Sequence, residues 1–410
     1  MPEMFKVLPP TEALEVMLEH LPSVVGEESI STADALDRVL AEKLTAQSPL
    51  PSFVRSTMDG YAVRSCDTYG ATEGLPAYLA VVGEVPMARE SGLEIGSGQT
   101  AVIYTGGMVP PGADSVVMVE QTQKLDASNI EVLRAVAPGE NVIGIGEDVK
   151  EGEPLFETGH VLRPQDLGGL MALGITSVKV ASRPRVAIVS TGDEIIPPHM
   201  APGPGQIRDI NTYTIAGLVT RAGGIPVPHG IVNDEYESLF TAARAALESS
   251  DVLVISAGSS VSTRDLTAEV VNNLGKPGVV VHGVALKPGK PTILGVCDGK
   301  PVLGLPGNPV SAMVVAGLFL IPLLSRMQGD LTPPVPRCVN ATLTRNVPSA
   351  PGREDYIPVR LVERDGEIWA EPVFGKSNLI YTLVKADGKI RVPLDSNGLH
   401  QGKPVSVELF

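Results

Sequence analysis

The sequence predicts a multidomain fold, α/β plus β, and three observations carry that expectation. From about Arg183 to Gly329, apolar strand-like runs alternate with amphipathic helical ones, the rhythm of a parallel sheet flanked by helices. From about Pro49 to Glu120, short apolar runs (YLAVVGEV, QTAVIYTG, DSVVMVEQ) are parted by Gly/Pro-rich turns, which reads as a β-rich unit of short strands. Glycine (43) and proline (36) are numerous in 410 residues, so the chain turns too often for long helices to dominate.

Taken in order, residues 11–45 read as two helical segments, TEALEVMLEH and STADALDRVLAEKL, the second with Leu36, Val39, Leu40 and Leu44 at helical spacing. The β-rich unit follows. Residues 121–180 continue with IEVLRAV, the glycine-punctuated PGENVIGIGEDVKEG and a helical PQDLGGLMALG, and are expected to return to the first helical piece. The α/β alternation then runs RVAIVSTG, INTYTIAGLVTRAG, IPVPHGIV, DEYESLFTAARAALES, DVLVISAG, DLTAEVVNNLG and VVVHGVAL. The apolar run Val310 to Leu324 contains Pro322 and is shorter than the ~20 residues of a bilayer span, so a buried helix is expected there. After LTPPVPR the last stretch alternates strands with turns (NATLTRNV, DYIPVRLV, EIWAEPVF, PVSVELF), a small C-terminal β-domain. The expected division is 1–48 with 140–181 as a helical or mixed domain I, 49–139 as the β-rich domain II, 182–330 as the α/β domain III, and 331–410 as domain IV.

Composition narrows the function classes. Lys and Arg number 32 against 47 Asp and Glu, a net charge of −15 with no dense basic run, which argues against neutralising a nucleic-acid backbone or an anionic membrane through bulk charge. A small anionic ligand would need a local pocket. Cys66, Cys297 and Cys338 are far apart and form no CxxC, so neither a disulfide framework nor a cysteine zinc site is expected. The N-terminal MPEMFKVLPPTEALEVML lacks the basic start and apolar core of a secretion signal, and a cytoplasmic location is expected. No HExxH, Walker loop or GxGxxG is present.

Ligands of doubly wound sheets bind at the carboxyl ends of the strands, which directs attention to STGDE, SAGSS and GLPGN. Asp193 and Glu194 would project side by side at one such end. Oxygen ligands without His or Cys suit a hard cation such as Mg²⁺, although acidic residues also answer the dipole of a helix start. Asn308 is placed as a helix N-cap with Pro309 at the first helical position. Free N–H groups there attract phosphate, but capping alone would explain the pattern. Lys287 and Lys290, held in KPGKP, make a positive island in an acidic chain, suited to phosphate or simply solvated. The run Ser256 to Ser262, with Asp265 behind it, would let a ligand approach the backbone or serve as a serine-rich turn. Asp59, beside Gly60 in STMDGYA, could reach a cleft or cap its own turn.

As an ordered set, STMDGYAV, YTGGMVPPGADSVVMVE, GENVIGIGEDVKEG, STGDEI, GQIRDINTYTIAGLV, KPGKP and LPGNPVSA, with GREDYIPVRL, EPVFGKSNLIYTLVKADG and GKPVSV near the end, resemble the molybdopterin molybdenumtransferase family, which includes the C-terminal domain of gephyrin. The resemblance implies an elongated homodimer whose subunit has a β-rich arm, a central molybdopterin-binding-like parallel α/β domain and a C-terminal β-barrel. It implies a reaction in which adenylylated molybdopterin and molybdate are bound, AMP is released with the help of a divalent cation, and molybdenum cofactor is formed. It implies catalytic roles for Asp59, Glu194 and Asp265, and substrate contacts from Thr105, Asp148, Ser260, Lys287, Lys290, Pro306, Gly307, Asn308 and Ser377. Mg²⁺ would be held by Asp59, Asp193, Glu194 and Asp265. Molybdopterin adenylyltransferase and recipient molybdoenzymes are the implied protein partners, with no nucleic acid and no membrane. The chain departs from the family pattern at Thr263, where an acid is usual, at Ile210, between Asp209 and Asn211, where serine is usual, and at Asn378, after Ser377, where glycine is usual. These departures leave two alternatives open: a weakened paralogue serving as a pterin-binding scaffold, or a tungstate-preferring insertase.

Overall fold

The computed structural model describes residues 7–21, 25–90, 92–257, 261–330 and 336–410, with 261–264 as backbone only. Helix α1 (Pro10–Leu18) starts behind Pro9 with a proline at its first position, the placement at which a missing N–H costs nothing. Strand β1 (Glu27–Ser31) follows. The expected second helix, STADALDRVLAEKL, is a correction: Thr32–Asp34 form one 3₁₀ turn, and Val39 and Leu40 then bridge to Val161 and Val180 as extended chain. Asp37 has φ +59°, which breaks helical propagation. Leu36 is exposed while Val39 and Leu40 are buried, so the spaced residues line no single helical face.

The arm is a six-stranded sheet of β2 (Gly60–Val63), β3 (Ala77–Glu84), β4 (Gln99–Ile103), β5 (Ser115–Met118), β6 (Thr122–Lys124) and β7 (Asn129–Val132). Its order is β5-β2-β4-β3-β7-β6. Helix α2 (Pro164–Ala172) and strand β8 (Ser177–Ala181) lead back, β8 pairing antiparallel with β1. Asp166, almost wholly buried, fixes the start of α2 by accepting from the Arg163 backbone and guanidinium, both at 2.9 Å, and by a 2.8 Å contact with His160.

The α/β unit then runs β9 (Arg185–Thr191), α3 (Asn211–Arg221), β10 (Ile225–Val232), α4 (Tyr236–Glu248), β11 (Val252–Ala257), α5 (Val261–Leu274), β12 (Pro277–His282), β13 (Ile293–Cys297), β14 (Lys300–Pro306) and α6 (Pro309–Met327). The sheet order is β10-β9-β11-β14-β13-β12. All strands are parallel except β13, which is antiparallel to both neighbours. Both faces are covered, which is why the strands are apolar throughout rather than alternating. Val186, Ile188, Val252 and Val254 pack toward α3 and α6, whereas Ala187, Val189, Leu253 and Ile255 pack toward α4 and α5. The apolar run in α6 is mostly buried, as expected of a core helix, and it contains a π turn at Ala316–Leu320. Helix α1 also packs here, through Ala13 and Met17 on the cluster that holds Val281 and Leu294. Its packing is therefore against the α/β sheet rather than against residues 140–181.

Beyond Arg337 the chain forms β15 (Cys338–Leu343), β16 (Glu354–Arg364), β17 (Glu367–Pro372), a short helix α7 (Tyr381–Val384), β18 (Gly388–Val392) and β19 (Pro404–Leu409). The order β16-β17-β15-β19-β18 closes on itself through β18–β16 pairing, giving a five-stranded barrel around Leu343, Val359, Ile390 and Val407. Closure removes the open edges that a small sheet would expose.

Candidate functional site

A cavity of about 670 Å³ lies between the α/β sheet and the barrel. Its α/β wall comprises Ala257 and Pro306 at the carboxyl ends of β11 and β14, Asn308 at the start of α6, and the loop from Leu286 to Pro291. Its barrel wall is Arg353, residues 355–358 of β16 and residues 373–377. Two backbone joints set the walls against each other. Leu286 and Lys287 pair in parallel with Glu354 and Asp355, and the Glu354 N–H donates to Ala285 O at 2.9 Å. On the other side the Val310 N–H donates to Ser377 O at 3.1 Å, and Asn308 Nδ2 donates to Ser377 Oγ at 3.1 Å.

The cavity has a sharply biased charge. Four cations, Lys287, Lys290, Arg353 and Lys376, line it against one acid, Asp355, among the described residues. Asp355 is 1% exposed and accepts from Arg353 Nε at 2.9 Å, with Lys287 Nζ 3.9 Å from its other oxygen. In a chain of net charge −15, such a concentration of positive charge in a cleft with apolar walls focuses the field on an anion. Gly289 holds the lysine loop in place: its φ is +119° and a Cβ there would collide with the Val315 and Leu286 side chains, a combination that glycine alone meets without strain.

Of the residues singled out in the sequence, Lys287, Lys290, Pro306, Asn308 and Ser377 meet in this cavity. Gly307 stands beside it, its carbonyl accepting from Asn211 Nδ2 at 2.9 Å, while the same amide donates to Ser256 Oγ at 2.8 Å. Asn211 thereby ties the ends of β11 and β14 to the start of α3. Asn308 occupies the N-cap position, but its side chain makes no capping bond and reaches to Ser377 instead. Arg353, Asp355 and Lys376 were not singled out. The signal was present for the first two in GREDYIPVR, yet nothing in a single sequence says that a barrel strand faces KPGKP.

The remaining residues lie elsewhere. Asp59 and Thr105 form a pair on the arm, where the Thr105 N–H and hydroxyl both donate to Asp59 Oδ1, at 2.7 and 2.8 Å. These bonds favour the ionised carboxylate and hold its pKa below the ordinary value, the backbone bond contributing most. Gly60, the first residue of β2, permits the close approach of β5 beside Asp59, since a Cβ there would overlap the Val117 carbonyl. Asp148 is exposed, with its N–H donating to Leu50 O. Asp193 and Glu194 follow β9, and Asp193 Oδ1 accepts from the Asp234 N–H at 3.2 Å. Asp265 is exposed on α5. Ser260 and the Thr263 side chain lie outside the described residues. Among the described residues no group of three or more His, Cys, Asp or Glu is close enough to hold a metal ion, so Asp59, Asp193, Glu194 and Asp265 are not gathered into one cluster within the chain. Mg²⁺ does not require such a cluster, because it leans on one or two carboxylates, on waters and on substrate phosphates. The adjacent Asp193 and Glu194 match that demand.

Three family models match along the chain: the "MoeA N-terminal region (domain I and II)" over residues 8–174, the "Probable molybdopterin binding domain" over 187–326, and the "MoeA C-terminal region (domain IV)" over 340–410. The chain is 33% identical to the molybdopterin molybdenumtransferase of Haemophilus influenzae, covering 97% of this chain and 98% of that one. It is 31% identical to the molybdopterin molybdenumtransferase of Bacillus subtilis, over 93% and 90%. A crystal structure of the molybdopterin biosynthesis MoeA protein from Pyrococcus horikoshii OT3 superposes with a TM-score of 0.85 at 31% identity, covering 99% of this chain and all of that one.

Proposed function

Because the chain belongs to the MoeA family of molybdopterin molybdenumtransferases, we propose that the cavity between the α/β sheet and the barrel is where its substrates meet. The protein is an enzyme of molybdenum cofactor biosynthesis that inserts molybdenum from molybdate into adenylylated molybdopterin with release of AMP. The observation that carries the site assignment is the set of four cations, Lys287, Lys290, Arg353 and Lys376, facing one cavity. Both substrates are oxyanions, and a guanidinium fork with nearby ammonium groups is the chemistry that binds phosphate or molybdate oxygens.

Each residue then has a task. Lys287, Lys290 and Arg353 bind the phosphate and molybdate oxygens and offset the charge that grows on them as the phosphoanhydride breaks. Asn308 and Ser377 close the cavity around the ligand from opposite walls. Asp193 and Glu194 would hold Mg²⁺, which when bound offsets negative charge on phosphate oxygens. Asp59 and Thr105 do not line the cavity of their own chain, so a shared role requires a second copy. A homodimer in which the arm of one subunit serves the cavity of the other fits that requirement. The four-domain division is part of the same reading, with α1 moved to the α/β domain against which it packs, and so is the cytoplasm; three free cysteines, Cys66, Cys297 and Cys338, suit a reducing compartment.

The test is direct. Purified protein given adenylylated molybdopterin, molybdate and Mg²⁺ should release AMP and yield a cofactor that activates an apo-molybdoenzyme. Absence of AMP release under these conditions would overturn the reading. Running the assay with tungstate in parallel fixes the metal preference.

A further inference from the structure

We propose that Asp355 is a positioning residue that holds Arg353 of the barrel and Lys287 of the α/β domain together as one oxyanion receptor, so that anion binding depends on the barrel being docked. The proposal rests on the reading of the cavity as an oxyanion site. It starts from an anomaly of charge. A cavity meant for anions gains nothing from a carboxylate in its wall, and a carboxylate that is 1% exposed is costly to desolvate unless cations compensate it. Asp355 nevertheless stands among four cations.

Its contacts explain the anomaly. Arg353 uses Nε to reach Asp355 Oδ1 at 2.9 Å. A guanidinium carries five N–H donors in a fixed fork, and among the described residues the Nη groups of Arg353 have no hydrogen-bond partner. One edge is anchored, and the rest is left for a ligand. Asp355 Oδ2 is buried with no hydrogen-bond partner, and Lys287 Nζ stands 3.9 Å away. That distance is too long for a hydrogen bond but within ion-pair range, and because the Lys287 side chain is exposed the attraction is partly screened by water. The ammonium group is thus held near the carboxylate without spending its donors. The backbone places the carboxylate at the joint itself, because the Leu286–Glu354 and Lys287–Asp355 rungs are where the two domains pair. A carboxylate that orients binding groups through their unused edges plays the part that outer-shell partners play around a metal.

The test exploits a conflict of sign. If Asp355 acted only through net charge, Asp355→Asn would make the cavity more positive and molybdate would bind more tightly. If it positions Arg353 and Lys287, molybdate should bind about tenfold more weakly despite the added positive charge. Calorimetric titration with molybdate at fixed salt reads this, alongside the melting temperature. Unchanged or tighter binding overturns the proposal, including the case in which only the melting temperature falls. In an Arg353→Ala background, Asp355→Asn should produce only a smaller further loss, the share that acts through Lys287, and a full further loss there overturns it as well. Should Asp355→Asn fail to fold, the partly exposed pair Lys287→Ala and Arg353→Ala decides: their effects on molybdate affinity should be strongly non-additive, and simple additivity refutes a joint receptor. A wild-type protein that binds molybdate but releases no AMP would defeat the transferase reading and leave this proposal standing.

Discussion

Thr105 donates both its backbone N–H and its hydroxyl to one oxygen of Asp59, at 2.7 and 2.8 Å, so an exposed carboxylate on a loop is held in one orientation and in its charged form. Among the described residues the other oxygen has no hydrogen-bond partner. The Asp59→Asn protein should fold with near-native stability, since the residue is exposed and lies outside the core, while AMP release falls by about 10²-fold or more. Full turnover by the folded variant would remove Asp59 from the machinery.

The same pair predicts a pH dependence. Because the Thr105 bonds depress the Asp59 pKa, the charged form persists as pH falls through the ordinary carboxylate value of about 3.9 and is lost only below it. In Thr105→Val the hydroxyl bond is gone and the backbone bond remains, so the acid limb of the activity profile should move upward toward that value. A pH–rate profile of both proteins measures the shift, and coincident acid limbs would separate Thr105 from Asp59 function.

Lys287→Ala and Lys290→Ala should each weaken binding of the adenylylated pterin, and the remaining affinity should fall less steeply with salt than that of the native protein, because an ionic contact has been removed. Titrations at three salt concentrations provide the comparison. Equal affinities at every salt level would leave the lysines as solvated surface groups.

If the arm of one subunit completes the cavity of the other, Asp59→Asn and Lys287→Ala proteins, each impaired alone when the pterin is kept below the weakened affinity of Lys287→Ala, should regain activity when mixed under conditions that exchange subunits. About a quarter of the native rate is expected from statistical pairing when half the dimers are mixed and each has one intact site. No recovery despite proven exchange would place Asp59 and Lys287 in the same chain's site or in separate reactions.

Asp166 bears on stability rather than chemistry. Burial alone would push its carboxyl up, but the bonds from Arg163 and His160 outweigh it and hold the group far below the ordinary range. The stabilisation is therefore present above about pH 4 and drains away as the solution becomes strongly acid. Asp166→Ala should cost about 3 kcal/mol at neutral pH, because it strips the partner from a buried network, and its melting temperature should decline less than the native one between pH 4 and pH 2. Parallel declines would show that other carboxylates govern acid unfolding.

How far the sequence could be read depended on the range of the cause. The parallel strands were legible because burial on both faces leaves uninterrupted apolar runs such as RVAIVS and DVLVIS. KPGKP was legible because two lysines beside two prolines and a glycine form a local signal. The stretch after Ser31 misled because its apolar spacing mimics a helix, while Asp37 at positive φ and the bridges of Val39 and Leu40 to distant strands overrule it. Arg353 and Asp355 stayed hidden because their significance lies in pairing with Lys287, and α1 gave no sign that its packing surface is formed by strands far downstream.

That last placement has a topological consequence. The Ser182 N–H donates to Gly26 O at 2.8 Å, and Glu27 is opposite Ala181 in the first rung of the β1–β8 pair. The chain thus leaves the body that contains α1 and comes back to it at adjacent points, with everything from Glu27 to Ala181 hung between them like a graft on a single stem. The body is discontinuous in sequence yet closed in space.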